Sequence, residues 1–363
     1  MGRLGGMART NQLPLFKEEL QDVSIFPSTR FQGSKKRLAD WIHDSVSGLD
    51  FDTALDVFGG TGVVSYLFKC MGKEVTYNDG LAFNWNIGLA LIENPDVRLS
   101  SQEIDLIMQR HKDIDYPAFI SQTFPDIYFT HEENLWIDQI VHNINHLLDN
   151  RYKQAIARFA LYQAAIIKRP YNLFHRANLY MRSANVVRSF GNKVTWDTPF
   201  DVHFRVFAHE ANYAIFDNGR KNRALNLDAF ETPVGAELVY MDPPYLNAKG
   251  VGVDYRDFYH FLEGLTKYGE WAEIIDYKSK HKRLRPLSSM WNKANSILEA
   301  FDTLIAMHRH SNIVISYRDD GIPSHMQLTD VLKAYKSHVR CESLPMKYAL
   351  SKSKSHELLL IAT

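Results

Sequence analysis

The stretch Leu238-Val239-Tyr240-Met241 is apolar at every position and is cut off by Asp242-Pro243-Pro244-Tyr245. A strand with two apolar faces has to be covered on both sides, which is the condition of a parallel strand inside an α/β sheet. The prolines have no N–H to give to a ladder, so the strand stops there. A second run shows the same pattern. Thr53-Ala54-Leu55-Asp56-Val57-Phe58 leads into Gly59-Gly60-Thr61-Gly62, an apolar helical stretch follows from Val63 to Cys70, and Glu74-Val75-Thr76-Tyr77-Asn78 ends at Asp79. Strand, glycine turn, helix and strand in that order form the opening half of a doubly wound sheet. The pattern resumes with "RALNLDAF" (223–230), "ELVYM" (237–241) and "SNIVISY" (311–317). "MKYAL" and "HELLLIA" around a Lys/Ser turn predict a closing hairpin.

Between these segments the chain changes character. Residues 91–150 carry 11 Asp and Glu against three Lys and Arg, in helical patterns, whereas residues 168–193 hold six Lys or Arg and no acid, with Tyr171, Phe174, Tyr180 and Phe190 interleaved. The 363 residues, 45% apolar, suffice for two domains. The expected layout is a tail over 1–22, an α/β domain from 23–95 and 223–363, and a helical domain inserted over 96–222. The 42 basic and 42 acidic residues cancel, so only this uneven distribution points to a nucleic acid. The first ten residues have no apolar core of a signal peptide, and no apolar run approaches a membrane span. Cys70 and Cys341 give neither a metal spacing nor a disulfide framework. A cytoplasmic protein without a metal is expected.

Three short elements carry chemistry. In Asp56-x-Phe58-x-Gly60-Thr61-Gly62 the glycines let backbone approach a ligand and aim helix N–H groups at it, and Asp79 at the next strand end can accept from ribose hydroxyls. Val64 and Ser65 stand where a dinucleotide fingerprint wants a later glycine, which argues against a nicotinamide cofactor. Asp242-Pro243-Pro244-Tyr245 suits an exocyclic amine of a nucleobase. Such an amine is a poor nucleophile because its lone pair is delocalised into the ring; the Asp242 carboxylate and the Pro243 carbonyl accept from it, the prolines bring no competing donor, and Tyr245 offers a stacking face. Arg30-Phe31-Gln32-Gly33-Ser34-Lys35 adds an aromatic, a glycine and a lysine at the mouth of the sheet.

In that order the three elements resemble the alpha-type, D12 class DNA adenine-N6 methyltransferases, the class that includes the bacterial Dam enzymes. The resemblance covers most of residues 26–95 and 223–363. It implies a Rossmann-like, S-adenosyl-L-methionine-dependent methyltransferase sheet with a C-terminal hairpin and an inserted target-recognition domain. It further implies that Phe31, Gly33, Ser34 and Lys35 cradle the methionine end of the cofactor, Lys35 meeting its carboxylate. Asp56, Phe58, Gly60, Thr61 and Gly62 would line the cofactor and Asp79 would hold its ribose. Asp228, with Ala229 and Phe230, would take its adenine. Asp242, Pro243, Pro244 and Tyr245 would hold a flipped target adenine, Asp242 also facing the cofactor.

The recognition domain of this class lies where the basic segment sits. Lys168, Arg169, Arg188 and Lys193 are then expected at phosphates of double-stranded DNA, with Asn172, Arg176, Asn178 and Arg182 offering donors to base edges. Lys280, Lys282 and Arg283 of the run 278–285 are expected on the backbone beside the flipped base. A cognate restriction endonuclease is the expected partner. A cytosine-N4 methyltransferase, or one acting on RNA or protein, is the alternative reading.

Overall fold

The computed structural model describes residues 22–31, 33–184, 193–247, 250, 252–346 and 355–363. The tail up to Gln21, Gln32, Arg188, Phe190 and most of the predicted Lys/Ser turn lie outside them. Four strands arise from the apolar runs: β1 (Thr53–Asp56), β2 (Glu74–Asn78), β3 (Arg223–Leu225) and β4 (Leu238–Met241). After them come β5 (Leu246–Asn247), β6 (Asn312–Arg318), β7 (Gly321–Ile322), β8 (Val339–Met346) and β9 (Ser355–Ala362). The main sheet has the order β3-β2-β1-β4-β6-β9-β8, and β5 pairs with β7 in a separate two-stranded ladder. Pairing is parallel from β3 to β6 and antiparallel from β6 through β9 to β8, so a closing hairpin is present, although residues 347–350 of its expected first strand lie outside the described residues. Its first strand begins at Val339, earlier than the apolar run at Met346 announces. The run 223–230 is a strand only to Leu225; Asp228 then caps a short 3-10 turn over Ala229–Glu231 by accepting from the Phe230 amide.

Alternation along the strands divides the core in two. Leu238 and Tyr240 of β4 join one cluster and Val239 and Met241 the other, as a strand covered on both faces requires. The second cluster is closed by the helices Ile297–Met307 and His325–Tyr335 through Phe301, Leu304, Ile305, Leu328 and Leu332. The first takes in the helix Val63–Cys70 and also the long helices His131–Leu147, Arg151–Ile167 and Phe200–Ala214. The helical stretch between β2 and β3 thus shares one continuous hydrophobic core with a face of the sheet. Among the described residues no helix is long and apolar enough to cross a membrane.

Candidate active site

The strand order determines where a ligand can enter. From β1 the chain runs to β2 and β3 on one side and returns through β4 on the other, so the loops after β1 and β4 part and leave a crevice at the carboxyl ends of those strands. A cavity of about 720 Å³ opens there. It is lined by Phe31, Gly33 and Lys35, by Asp56, Phe58, Gly60 and Thr61, by Asp79, by Asp228, Ala229 and Phe230, and by Asp242, Pro243, Pro244 and Tyr245. Of the expected ligand-facing positions Ser34 and Gly62 stand back from the wall: Ser34 precedes the turn Lys35–Leu38, and Gly62, at φ +81°, is the N-cap of the helix Val63–Cys70.

The glycine loop owes its shape to Tyr77. A Cβ at Gly59 would lie 2.1 Å from the Tyr77 ring, whereas one at Gly60, where φ is +51°, would meet nothing closer than the Phe58 carbonyl at 3.8 Å. The Tyr77 hydroxyl donates to the Gly60 carbonyl at 2.8 Å and ties the loop down from behind. Gly60 therefore faces open cavity. Asp79 accepts from the Gly60 amide at 2.9 Å and the Leu81 amide at 2.8 Å, one on each carboxylate oxygen. Asp56 accepts from the Ser65 hydroxyl through Oδ2 at 2.8 Å, while its buried Oδ1 has no hydrogen-bond partner among the described residues. Burial, opposed in part by these hydrogen bonds, pushes Asp56 up to about 7 and Asp79 up to about 6.

At the β4 end Asp242, Lys35 and Tyr245 form a closed set. Lys35 Nζ donates to the Tyr245 hydroxyl at 2.7 Å and lies 3.1 Å from Asp242 Oδ1; the Tyr245 hydroxyl in turn donates to the same Oδ1. Asp242 Oδ2 is left to accept from a ligand. Burial raises the Asp242 carboxyl, and the Lys35 ammonium works against that rise. The Lys35 charge, expected at a cofactor carboxylate, is engaged in this arrangement by Asp242 and Tyr245. The ring of Tyr245 packs edge-on against Tyr317, with centroids 5.4 Å apart, which fixes its plane. Sequence reasoning passed over Trp291, which lies between Phe58 (4.9 Å, edge-on) and Phe230 (5.7 Å, stacked) and completes an aromatic wall. It sits in a short turn, Met290–Asn292, where neither strand nor helix periodicity marks it. Tyr255 and Tyr259, which also line the cavity, were missed as well.

The chain matches the D12 class N6 adenine-specific DNA methyltransferase family over residues 31–314. It belongs to that family. Among its relatives it is 29% identical to Type II methyltransferase M2.HphI of Haemophilus parahaemolyticus, over 93% of this chain and 97% of that one. It is 25% identical to Modification methylase StsI of Streptococcus sanguinis and to Type II methyltransferase M.FokI of Planomicrobium okeanokoites, matched over 90% of this chain and 50% of each of them. It spans half the length of those two.

An adenine-N6 DNA methyltransferase has to meet the phosphates of its substrate, and here the structure corrects the reading of the basic segment. Lys168, Arg169, Asn178 and Arg182 are buried. Lys168 lies 3.1 Å and Arg182 2.6 Å from Glu133, and Lys168 also donates to the Trp196 carbonyl. Arg169 stacks on Tyr128 at 4.3 Å and donates to the carbonyls of Tyr128, Leu173 and Arg176 and to Asn178. These four side chains brace the segment from inside and present no charge to DNA. Arg176 and Lys193 are exposed, Lys193 in a pair with Asp197, and Asn172 is half-buried in the left-handed region at φ +58°. Lys280 is exposed, Lys282 donates to the Tyr277 carbonyl and Arg283 faces Asp276 at 3.6 Å. Tyr128, whose hydroxyl donates to the carbonyls of Phe174 and His281, holds the two basic runs side by side.

Proposed function

We propose that the methyltransferase binds S-adenosyl-L-methionine in the cavity at the carboxyl ends of β1 and β4 and methylates an adenine rotated out of double-stranded DNA. The observation that carries this reading is the meeting, in one cavity, of a glycine turn flanked by the Asp56 and Asp79 carboxylates with a turn that holds a carboxylate and whose two prolines have no N–H to donate. Several features fit the cofactor. The buried Asp56 Oδ1 awaits a donor, the space beside Gly60 is open, and Phe58, Trp291 and Phe230 offer an aromatic wall for a purine. Asp79, held by two amides, would accept from the ribose, and Asp228 beside Phe230 from the purine amine. When bound, the cofactor supplies an electrophilic methyl group on a sulfonium.

The rest is positioning by this chain's own side chains. Asp242 Oδ2 and the Pro243 carbonyl would accept from the two N–H groups of the target amine, so that its lone pair turns toward the methyl. Tyr245, its plane set by Lys35, Asp242 and Tyr317, would carry the base on its face. The proton lost as the new bond forms would pass to Asp242 or to water. Exposed Arg176, Lys193 and Lys280, with the helical segment 96–222 as target-recognition element, would engage the duplex. A cognate restriction endonuclease and a cytoplasmic setting, in a bacterium or a phage-infected one, complete the proposal. The adenine-specific family favours this reading over a cytosine-N4 or an RNA or protein substrate.

Gly60→Val tests the cofactor half. A branched side chain there enters the space assigned to the cofactor; because φ at Gly60 is +51° it also strains the turn, so the melting curve should shift down, while calorimetry below the variant's melting range shows no binding of S-adenosyl-L-methionine. Unchanged affinity in the folded variant would refute the assignment.

A further inference from the structure

Behind the catalytic turn lies a carboxylate for which the mechanism above has no use. Glu357, near the start of β9, stands opposite Arg318 of β6 in the antiparallel ladder and is 3% exposed. Its Oε2 has no hydrogen-bond partner among the described residues and lies 3.7 Å from Lys35 Nζ. Arg318 is itself drawn to Asp320, at 2.9 Å. The Lys35 ammonium therefore faces three oxygens: the Tyr245 hydroxyl, Asp242 Oδ1 and Glu357 Oε2. The group holds two carboxylates and one ammonium, all largely buried; the Arg318 guanidinium also acts on Glu357 from the facing strand, with its own charge matched by Asp320.

A buried carboxylate oxygen without a hydrogen bond is costly, and a Lys35–Asp242 pair would be complete without it. The charge count suggests what the second carboxylate does. As the methyl leaves sulfur for the amine nitrogen, the S–C pair stays on sulfur, the nitrogen lone pair forms the new bond, and the positive charge moves onto the amine. An Asp242 fully neutralised by Lys35 would meet that charge as half of a neutral pair. With Glu357 sharing the ammonium, the set keeps one net negative charge directed at the place where positive charge develops.

We infer that Glu357 is a positioning residue of the methyl transfer: acting through Lys35, it keeps the catalytic turn net negative toward the target amine and holds the ammonium on the Tyr245 hydroxyl. The inference rests on the flipped-adenine reading above. Glu357→Gln keeps the shape and an acceptor for Lys35 but removes the charge. In single turnover on a duplex oligonucleotide it should methylate roughly tenfold or more slowly than wild type. Its affinity for S-adenosyl-L-methionine and the fluorescence rise of 2-aminopurine at the target position should stay unchanged, a split that a loosened fold would not give. Glu357→Asp, which keeps the charge, should recover most of the rate. Glu357→Met repeats the charge removal if the glutamine variant melts below the assay temperature. Equal rates in wild type and the charge-free variant, an aspartate variant as slow as the glutamine one, or weakened cofactor binding or flipping in Glu357→Gln would each overturn the inference. A wild-type enzyme that leaves no N6-methyladenine in the DNA would instead refute the reading beneath it.

Discussion

Asp242→Ala is expected to lower kcat by about a thousandfold or more while binding of both S-adenosyl-L-methionine and DNA persists. The size of the effect follows from what one side chain holds. Oδ2 is the acceptor proposed for the target amine, and Oδ1 receives the Tyr245 hydroxyl and faces Lys35 at 3.1 Å. Alanine removes the amine's acceptor and lets the plane of Tyr245 drift. The aromatic wall of Phe58, Trp291 and Phe230 and the Asp79 carboxylate remain, so the cofactor should still bind. Lys35 keeps Glu357 as a counter-ion, and the variant should fold with some loss of stability. Single-turnover methylation beside calorimetric titration of the cofactor checks both halves. A variant that turns over at the wild-type rate would reduce Asp242 to a turn-forming residue.

The second large effect concerns stability. Arg182→Ala should lower the unfolding free energy by about 1 to 3 kcal/mol, because it removes a buried bidentate partner of Glu133, which keeps Lys168 as its counter-ion. Arg182 donates to both carboxylate oxygens of Glu133, at 2.8 and 2.6 Å, and to the carbonyls of Tyr128 and Trp196, so truncation removes one donor from each of these acceptors, which keep Lys168, Arg169 and the Thr130 amide. Arg176→Ala, at an exposed position of the same segment, should leave stability untouched. If Arg176 meets a phosphate, its loss lowers the salt slope of DNA binding by about one. Denaturant titration of the two variants separates these outcomes. Equal stability in both would mean that the buried network carries no weight.

The contrast between those two arginines shows what could be read in the sequence and what could not. The cavity was legible because its parts are local: an apolar run, a glycine turn and Asp79 follow one another in the chain, and two prolines announce the end of β4. That β1 pairs with β4, which puts the two turns at one crevice, is seen only in the strand order of the sheet. The basic segment was misread because a run of Lys and Arg shows its charge and not its partner. Glu133, 49 positions before Arg182, lies in the acidic stretch that looked like a separate surface. The two stretches of opposite sign are in part halves of one buried network. Glu357 was missed for a related reason: it is a single acid opening an apolar strand, and its position behind Lys35 exists only once the two ends of the chain meet in the sheet. Trp291 left no trace because an irregular wall has no period.

The central claim is that this site methylates adenine, at N6, in DNA. The most direct measurement is mass spectrometry of the nucleosides released from duplex DNA after incubation with the purified protein and S-adenosyl-L-methionine carrying a labelled methyl group. The account predicts labelled N6-methyladenine as the sole modified nucleoside, and none with Asp242→Ala. Labelled N4-methylcytosine, or no labelled base from a protein shown by calorimetry to bind the cofactor, would contradict it.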